Sequence, residues 1–371
     1  MIVSGGGTGG HVYPALAGIQ SLKQLCAEAN IAPTILWVGS VGGMELDLVT
    51  RAGLEIELIP AGGLRGKDPL SAAKGALALG RGYRRSRQIV RWFEPDALLV
   101  TGGYVCVPMT IAAWQAGIPI LIYLPDIEPG LAIKFLARLA DRVAVTADET
   151  KKFFRPGQSL VTGYPVRPEL VSTSGEAKAA ARQQLGLAVD LPVLLVFGGS
   201  QGARSINQAV AAAIEQFLPV SQVLHVTGKL DVDWVQARRA GLPAHWQTRY
   251  HVAAYLHEEM TAALQAADLV ISRSGASVLG EFPAIGLPAI LVPYPHAGSH
   301  QKLNAEYLAR HGAAVVIEDG ELPMKLSQTA VSLLANREKL AAMSQASRAL
   351  SKPDAAMRLA RAMLEVRHNG N

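Results

Sequence analysis

A short apolar stretch that ends in glycines and then turns helical occurs twice in this chain, and no other feature restricts its fold as much. The first instance is Ile2-Val3-Ser4 followed by Gly5-Gly6-Gly7-Thr8-Gly9-Gly10-His11, with a helical pattern from Ala15 onward. The second is Val193-Leu194-Leu195-Val196-Phe197 followed by Gly198-Gly199-Ser200-Gln201-Gly202-Ala203, with a helical pattern from Ile206. Strand, glycine loop and helix open a βαβ unit. The halves match again downstream. Asp96-Ala97-Leu98-Leu99-Val100 runs into Thr101-Gly102-Gly103-Tyr104, a helix, and Gly117-Ile118-Pro119 before another apolar strand. Asp268-Leu269-Val270-Ile271 runs into Ser272-Arg273-Ser274-Gly275, a helix, and Gly286-Leu287-Pro288 before the next. In each, a glycine ends the helix with a left-handed cap and the proline prevents its continuation. The expectation is an α/β chain with two open parallel sheets, whose ligands bind at the carboxyl ends of the strands. Sheets facing each other would leave one cleft between the two sets of loops.

A length of 371 residues fits two domains at roughly 100–200 residues each. The boundary is expected at Thr162-Gly163-Tyr164-Pro165-Val166-Arg167-Pro168, where two prolines stop any helix. This gives an N-terminal domain over 1–163 and a C-terminal domain over 164–350. Residues 172–184 read as linker plus short helix. A last helical pattern within 351–371 has packing against the first domain as one option, which the sequence alone does not decide.

Half the residues are hydrophobic and 18% are charged, which excludes disorder as the main state. Two cysteines, Cys26 and Cys106, build neither a disulfide framework nor a cysteine zinc site, as suits a reducing compartment. The N-terminus enters the glycine loop directly, without the pattern of a secretory signal. Residues 97–125 carry no charge and are long enough to span a bilayer. Gly102-Gly103, Pro108 and Gly117-Ile118-Pro119 instead punctuate them as strand, loop, helix and strand, and a buried α/β unit looks equally apolar. Asp231-Val232-Asp233 resembles a metal motif but precedes a helical pattern, so it reads as N-terminal helix charge. The nine histidines show no ligand spacing, and no metal is expected.

The net charge of +5 is unevenly placed. Window 64–93 holds Arg65, Lys67, Lys74, Arg81, Arg84, Arg85, Arg87 and Arg91 against Asp68 alone. This is either a solvated helix face or a basic amphipathic patch for anionic lipid or nucleic acid. Ile89, Val90, Trp92 and Phe93 lie among or beside the arginines, which favours a membrane surface. No nucleic-acid module is visible.

Gly5, Gly7 and Gly10 satisfy the dinucleotide spacing, and such loops bring backbone N–H groups to phosphates. NAD also requires an acidic residue after the second strand to hold the ribose. The strand expected at 34–38 is followed by Gly39-Ser40-Val41-Gly42, so NAD is set aside. In the second half, Ser274-Gly275-Ala276-Ser277 opens a helix whose unpaired N–H groups can hold a diphosphate. Glu281 can take two hydroxyls of a ribose. Each feature alone is an ordinary turn or cap, but together at one sheet edge they indicate a nucleotide site. His11 ends a glycine loop facing the expected cleft and is a candidate functional histidine.

These motifs resemble the MurG family of UDP-N-acetylglucosamine transferases, from the first residues to the last helix. The resemblance is carried by Gly6-Gly7-Thr8-Gly9-Gly10-His11, Gly63-Leu64-Arg65-Gly66-Lys67, Gly102-Gly103-Tyr104-Val105, Gly198-Gly199-Ser200-Gln201-Gly202-Ala203, Arg273-Ser274-Gly275-Ala276 and His300-Gln301 with Asn304-Ala305. It implies a GT-B architecture of two Rossmann-like domains facing a central cleft, no cofactor or metal, and peripheral attachment to the cytoplasmic face of the bacterial membrane. It also implies inverting transfer of GlcNAc from UDP-GlcNAc to the C4 hydroxyl of MurNAc in lipid I, which forms lipid II for peptidoglycan. Partners would be lipid I, an anionic membrane surface and cell-wall synthesis proteins, with no nucleic acid.

By the same resemblance, Arg167 and the backbone at Leu256 flank the uracil and Glu281 binds the ribose. Ser200 and the run Ser274, Gly275, Ala276, Ser277, Val278, Leu279 and Gly280 face the diphosphate, while Gln301 and His300 reach the sugar. Thr8, Gly9 and Gly10, with Gly102, Gly103 and Tyr104, hold the lipid I pyrophosphate; Thr8 to Gly10 also border the donor, and Arg65 lies on the acceptor side. His11 is the candidate base or acceptor-positioning group. Where the family has a His-Glu-Gln-Asn run, this chain has Tyr123-Leu124-Pro125-Asp126. Asp126 is therefore either a sugar-contacting carboxylate that assists His11 or the cap of a helix starting near Pro129. Pro283, soon after Glu281, is a second departure, tolerable only if the helix there starts late. Two alternative activities are a related GT-B transferase acting on another membrane lipid, and a nucleotide-sugar-binding protein without transfer activity.

Overall fold

Runs of valine, isoleucine and leucine that lack polar alternation need cover on both faces, which a parallel sheet between helix layers provides. The computed structural model describes residues 1–7, 9–62, 69–171, 175–199, 202–257, 259–295 and 300–368. Its strands are β1 (Ile2–Gly5), β2 (Leu36–Ser40), β3 (Glu55–Ile59), β4 (Leu98–Gly102), β5 (Ile120–Leu124), β6 (Arg142–Val145) and β7 (Ser159–Val161). There follow β8 (Val193–Phe197), β9 (Gln222–Val226), β10 (Tyr250–Ala253), β11 (Leu269–Ser272), β12 (Ala289–Leu291) and β13 (Ala314–Val316). They form two parallel sheets, in the orders β3-β2-β1-β4-β5-β6-β7 and β10-β9-β8-β11-β12-β13. The α/β class and the paired parallel sheets are those expected from the glycine loops.

In each sheet the strand order reverses once, between β1 and β4 and between β8 and β11. Connections leave in opposite directions there, and the loops beyond the carboxyl ends part to form a crevice. All four glycine-bearing loops noted in the sequence follow these four strands. The fold therefore gathers dispersed motifs at one edge of each sheet.

The chain divides into Met1–Val166 with Lys352–Asn371, and Arg167–Ser351. The final helix, Ala355–His368, belongs to the first unit and packs on helix Gly9–Glu28. Gly18 makes this approach possible, since a Cβ there would lie 2.8 Å from Leu359 Cδ2. Leu359, Ala360, Met363 and Val366 join the core formed by Val3, Trp37, Leu99 and Leu121. Pro14 lies inside helix Gly9–Glu28 and cannot donate to the carbonyl of Gly10. The Tyr164 hydroxyl donates to that carbonyl instead, at 3.5 Å.

The uncharged run 97–125 is β4, helix Cys106–Gln115 and β5. Among the described residues no helix is long and apolar enough to cross a membrane. The basic window becomes helix Pro69–Phe93, which exposes Arg81, Arg84, Arg85, Arg87, Arg91 and Trp92. Its expected apolar contribution needs correction. Ile89 and Val90 turn inward to the core, against residues such as Met109 and Ala112, so of the four apolar residues noted in the sequence Trp92 alone stands fully exposed beside the arginines.

Candidate nucleotide-sugar and acceptor sites

In the first unit, the loops after β1 and β4 are bound together through their backbones. Gly6 N donates to Gly102 O at 3.1 Å. A Cβ at Gly103 would come within 2.7 Å of Gly6 O, and one at Gly5 would overlap the Thr101 hydroxyl. Gly102 and Gly103 adopt φ values of 126° and 90°, which side chains rarely tolerate. His11 lies in the first turn of helix Gly9–Glu28, beside the half-buried Gly9 and Gly10. Its Nδ1 is 3.2 Å from Gly6 O. A carbonyl only accepts, so Nδ1 carries the proton and Nε2 holds the lone pair of the neutral ring. The ring lies against Gly102, where a Cβ would be 3.0 Å from Nε2. Tyr104, exposed, completes this edge. Thr8, Arg65 and Ser200 lie outside the described residues.

Asp126 follows Pro125, two positions beyond β5, and is half-buried. In the sheet, β4 stands between β5, which precedes Asp126, and β1, which precedes the helix of His11. The capping alternative is overturned: the next helix is Leu131–Leu136, with Gly130 at its N-cap and no side-chain bond there. Asp126 is too far back along the chain to serve it. Burial raises the pKa of the Tyr123 hydroxyl, and the nearby charge of Asp126 adds to this.

In the second unit, the expected helix from Ser274 is a 3-10 turn, Ala276–Leu279, followed by a short α-helix, Glu281–Ile285. Pro283 falls in the first turn of that helix, where its missing N–H breaks no helical bond. Glu281 opens the helix 3.9 Å from Arg167, and Ser277 hydrogen-bonds to it. Burial raises the Glu281 carboxyl above its ordinary range, against the pull of Arg167 and Ser277. The structure thus joins the residues expected at uracil and ribose. Gly275, Ala276 and Ser277 are half-buried, whereas Val278, Leu279 and Gly280 are buried.

The Ser274 hydroxyl is engaged by the fold, donating to Gln301 O at 2.7 Å, and Asn304 Nδ2 donates to Ser274 O at 3.1 Å. Helix His300–Arg310 is thereby fastened to the loop, with His300 and Gln301 half-buried at its start. Gln301 Oε1 accepts from Tyr294 N. Leu256, half-buried, lies beyond β10 between Tyr255 and His257, whose rings are 4.6 Å apart.

Sequence reasoning missed the side chains that brace these loops. Arg273 donates to Asp319, to the Ser205 hydroxyl and to the carbonyls of Val292 and Pro293. Asp231 holds the N-cap position of helix Val232–Ala240, yet its carboxylate accepts from Arg204 and Asn207 instead of capping. Burial opposes that charge, but the bonds from Arg204, Trp234 and Asn207 outweigh it and lower its pKa. Asn207 Nδ2 also donates to Thr227 O, leaving its Oδ1 to accept from His225 Nε2 at 3.0 Å. His225 Nδ1 must then accept from the Tyr250 hydroxyl, at 2.9 Å. This chain runs from the core to the second glycine loop, where a Cβ at Gly202 would strike Thr227 O at 2.3 Å. Polar residues at strand and helix starts carry no pattern that separates such braces from surface positions.

The glycosyltransferase family 28 N-terminal domain matches residues 1–145, and the family 28 C-terminal domain matches residues 193–359. A UDP-N-acetylglucosamine--N-acetylmuramyl-(pentapeptide) pyrophosphoryl-undecaprenol N-acetylglucosamine transferase of Desulforudis audaxviator is 45% identical, over 96% of this chain and 95% of the relative. One of the same description from Roseiflexus is 42% identical, over 96% and 92%. The crystal structure of MurG from Acinetobacter baumannii superimposes with a TM-score of 0.77 at 28% identity, covering 98% of each chain.

Burial lowers the pKa of His225 from 6.5 to about 3. Between those values the unfolded chain binds a proton that the folded chain excludes, so stability is full above pH 6.5 and falls as the pH drops. The limiting slope is about 1.4 kcal/mol per pH unit. Urea unfolding of the parent and of His225→Gln from pH 7 to pH 4 checks this. The variant is expected to lose stability less steeply on acidification, and parallel curves would remove His225 as the source.

Proposed function

The chain belongs to the MurG family within glycosyltransferase family 28, and on that premise we propose that it moves GlcNAc from UDP-GlcNAc to the C4 hydroxyl of MurNAc in lipid I, making lipid II with inversion. The similarity carrying this reading extends over nearly the whole chain and includes both family domains. The location of the motif loops at the reversal points of both sheets supports it.

Donor binding is assigned to the second unit. Arg167 and the Leu256 backbone flank the uracil, Glu281 takes the ribose hydroxyls, and the N–H groups at Gly275, Ala276 and Ser277 face the diphosphate. Ser200, His300 and Gln301 complete that set. Acceptor binding is assigned to the first unit, at Thr8, Gly9, Gly10, Arg65, Gly102, Gly103 and Tyr104. The acceptor oxygen bonds to the anomeric carbon as the bond to the diphosphate oxygen breaks, and the electron pair leaves with UDP. His11 Nε2 takes the hydroxyl proton, and Asp126 orients a sugar hydroxyl. Backbone N–H groups and arginine take up leaving-group charge, so the reading requires no metal. Attachment to the cytoplasmic face of the membrane is assigned to helix Pro69–Phe93.

Purified protein, UDP-GlcNAc and a lipid I analogue test the reaction directly: UDP release with disaccharide formation is expected. Turnover only with another lipid, or donor binding without turnover, would select one of the alternatives. Glu281→Ala is expected to weaken UDP-GlcNAc binding in calorimetry by about 1.5–3 kcal/mol, the worth of a charged hydrogen bond. Unchanged affinity would take Glu281 out of the site. Asp126→Asn is expected to lower kcat with an unchanged melting temperature, and full activity would end the role given to the carboxylate. Replacing Arg84, Arg85, Arg87 and Arg91 with serine is expected to reduce binding to anionic vesicles by about 1 kcal/mol per charge, and less at high salt. Equal binding would leave that face merely solvated.

A further inference from the structure

Glu45, the first residue of helix Glu45–Arg51, is fully buried and was singled out by no motif. Its Oε1 accepts from Ser40 N at 2.7 Å and from Ser40 Oγ at 2.6 Å. Its Oε2 accepts from Gly7 N at 3.2 Å. A Cβ at Gly6, Gly39 or Gly43 would lie 2.3, 2.9 or 2.3 Å from this side chain. Three glycines, two in loops and Gly39 in β2, thus leave room for one carboxylate. Burying such a group is unfavourable unless its bonds are made, and one of those bonds goes to the glycine loop.

The geometry at Gly7 connects this carboxylate to the histidine. Gly7 N and Gly6 C=O belong to one planar, conjugated peptide. The N–H of that peptide donates to Glu45, and its carbonyl accepts from His11 Nδ1 at 3.2 Å. An anion accepting from the N–H shifts electron density onto the carbonyl oxygen, which strengthens the bond to Nδ1–H. From this we infer that Glu45 is a positioning residue for His11, acting through the Gly6–Gly7 peptide to hold the ring in the Nδ1–H tautomer and leave Nε2 as the base. The arrangement matches the carboxylate and imidazole of a catalytic triad with one peptide plane inserted between them. It rests on the reading of His11 as the base.

A double-mutant cycle with Glu45→Gln, His11→Ala and the combined variant tests it, using lipid I analogue turnover and nitrogen-15 NMR of the histidine rings. Glu45→Gln is expected to lower kcat about ten- to a hundredfold, the usual effect of losing a partner that orients a functional histidine. KM for UDP-GlcNAc should stay within about twofold, since the groups assigned to the uracil, ribose and diphosphate lie on the other unit. The combined variant should be no slower than His11→Ala alone. The His11 signal, identified by its absence from His11→Ala, should show protonated Nδ1 in the parent and lose that preference in Glu45→Gln. If Glu45→Gln does not fold, Glu45→Asp, one methylene shorter, takes its place with the same expectations. Effects that multiply in the cycle, an unchanged kcat, or an unchanged tautomer would overturn the inference while leaving His11 as the base. Full turnover by His11→Ala would instead remove the base reading, and this inference with it.

Discussion

Two backbones approach within hydrogen-bonding distance at the point where β1 and β4 send their connections in opposite directions, and the first unit's candidate site depends on that approach. Gly6 N reaches Gly102 O because neither loop carries a Cβ in the gap. The register between β1 and β4 shifts after Ser4, pairing Gly5 with Gly102 and leaving the Thr101 side chain against Gly5. A side chain at these positions would force the loops apart and move Gly6 O away from His11. Glycine here gives up conformational entropy and returns proximity between backbone groups.

The second unit keeps the same topology but stabilises its loops differently. Its glycine loop faces a polar chain that is buried at Tyr250, His225, Asn207 and Asp231 and ends on the exposed Arg204, and in it each proton position follows from the neighbouring bond. Such a chain is favourable only when complete, since an unpaired polar group in the interior costs about 1–3 kcal/mol. Burial keeps His225 uncharged under ordinary conditions. At the neighbouring loop, Arg273 gathers Asp319, Ser205 and two backbone carbonyls, which ties the ends of β11 and β12 to the start of helix Arg204–Phe217. Rigid surroundings of this kind hold the backbone N–H groups at Gly275 to Ser277 in place.

Helix Pro69–Phe93 shows how one element serves two demands. Its inner face supplies Ile89 and Val90 to the first unit's core. Its outer face carries arginines, of which Arg85 is paired with Glu57 at 2.8 Å. The tryptophan at the end of the arginine face, Trp92, is exposed and meets Phe93 edge to face. Charge and apolar character are adjacent along the sequence but separate across the helix, because at 3.6 residues per turn positions three or four apart align, which groups Ser86, Ile89 and Val90 inward and Arg84, Arg87 and Arg91 outward.

The sequence by itself determined the α/β class, the two repeated βαβ openings and the pair of loops at the strand ends of each sheet. Those signals are local: the period of apolar residues, glycines that release the backbone, and Gly-x-Pro helix ends. Arg167, Ser277 and Glu281 were legible as a group because their motifs resemble a known family, and the fold brings them together. The tertiary structure alone decided that Glu45 braces Gly7 from thirty-eight positions away, that Ser274 turns its hydroxyl to Gln301, that Ile89 and Val90 face inward and that Asp126 caps no helix. Each of these depends on which strands become neighbours and on the space left between them. Hydrogen-bond partners distant in the chain follow from sheet order and close packing, which no short window of residues encodes.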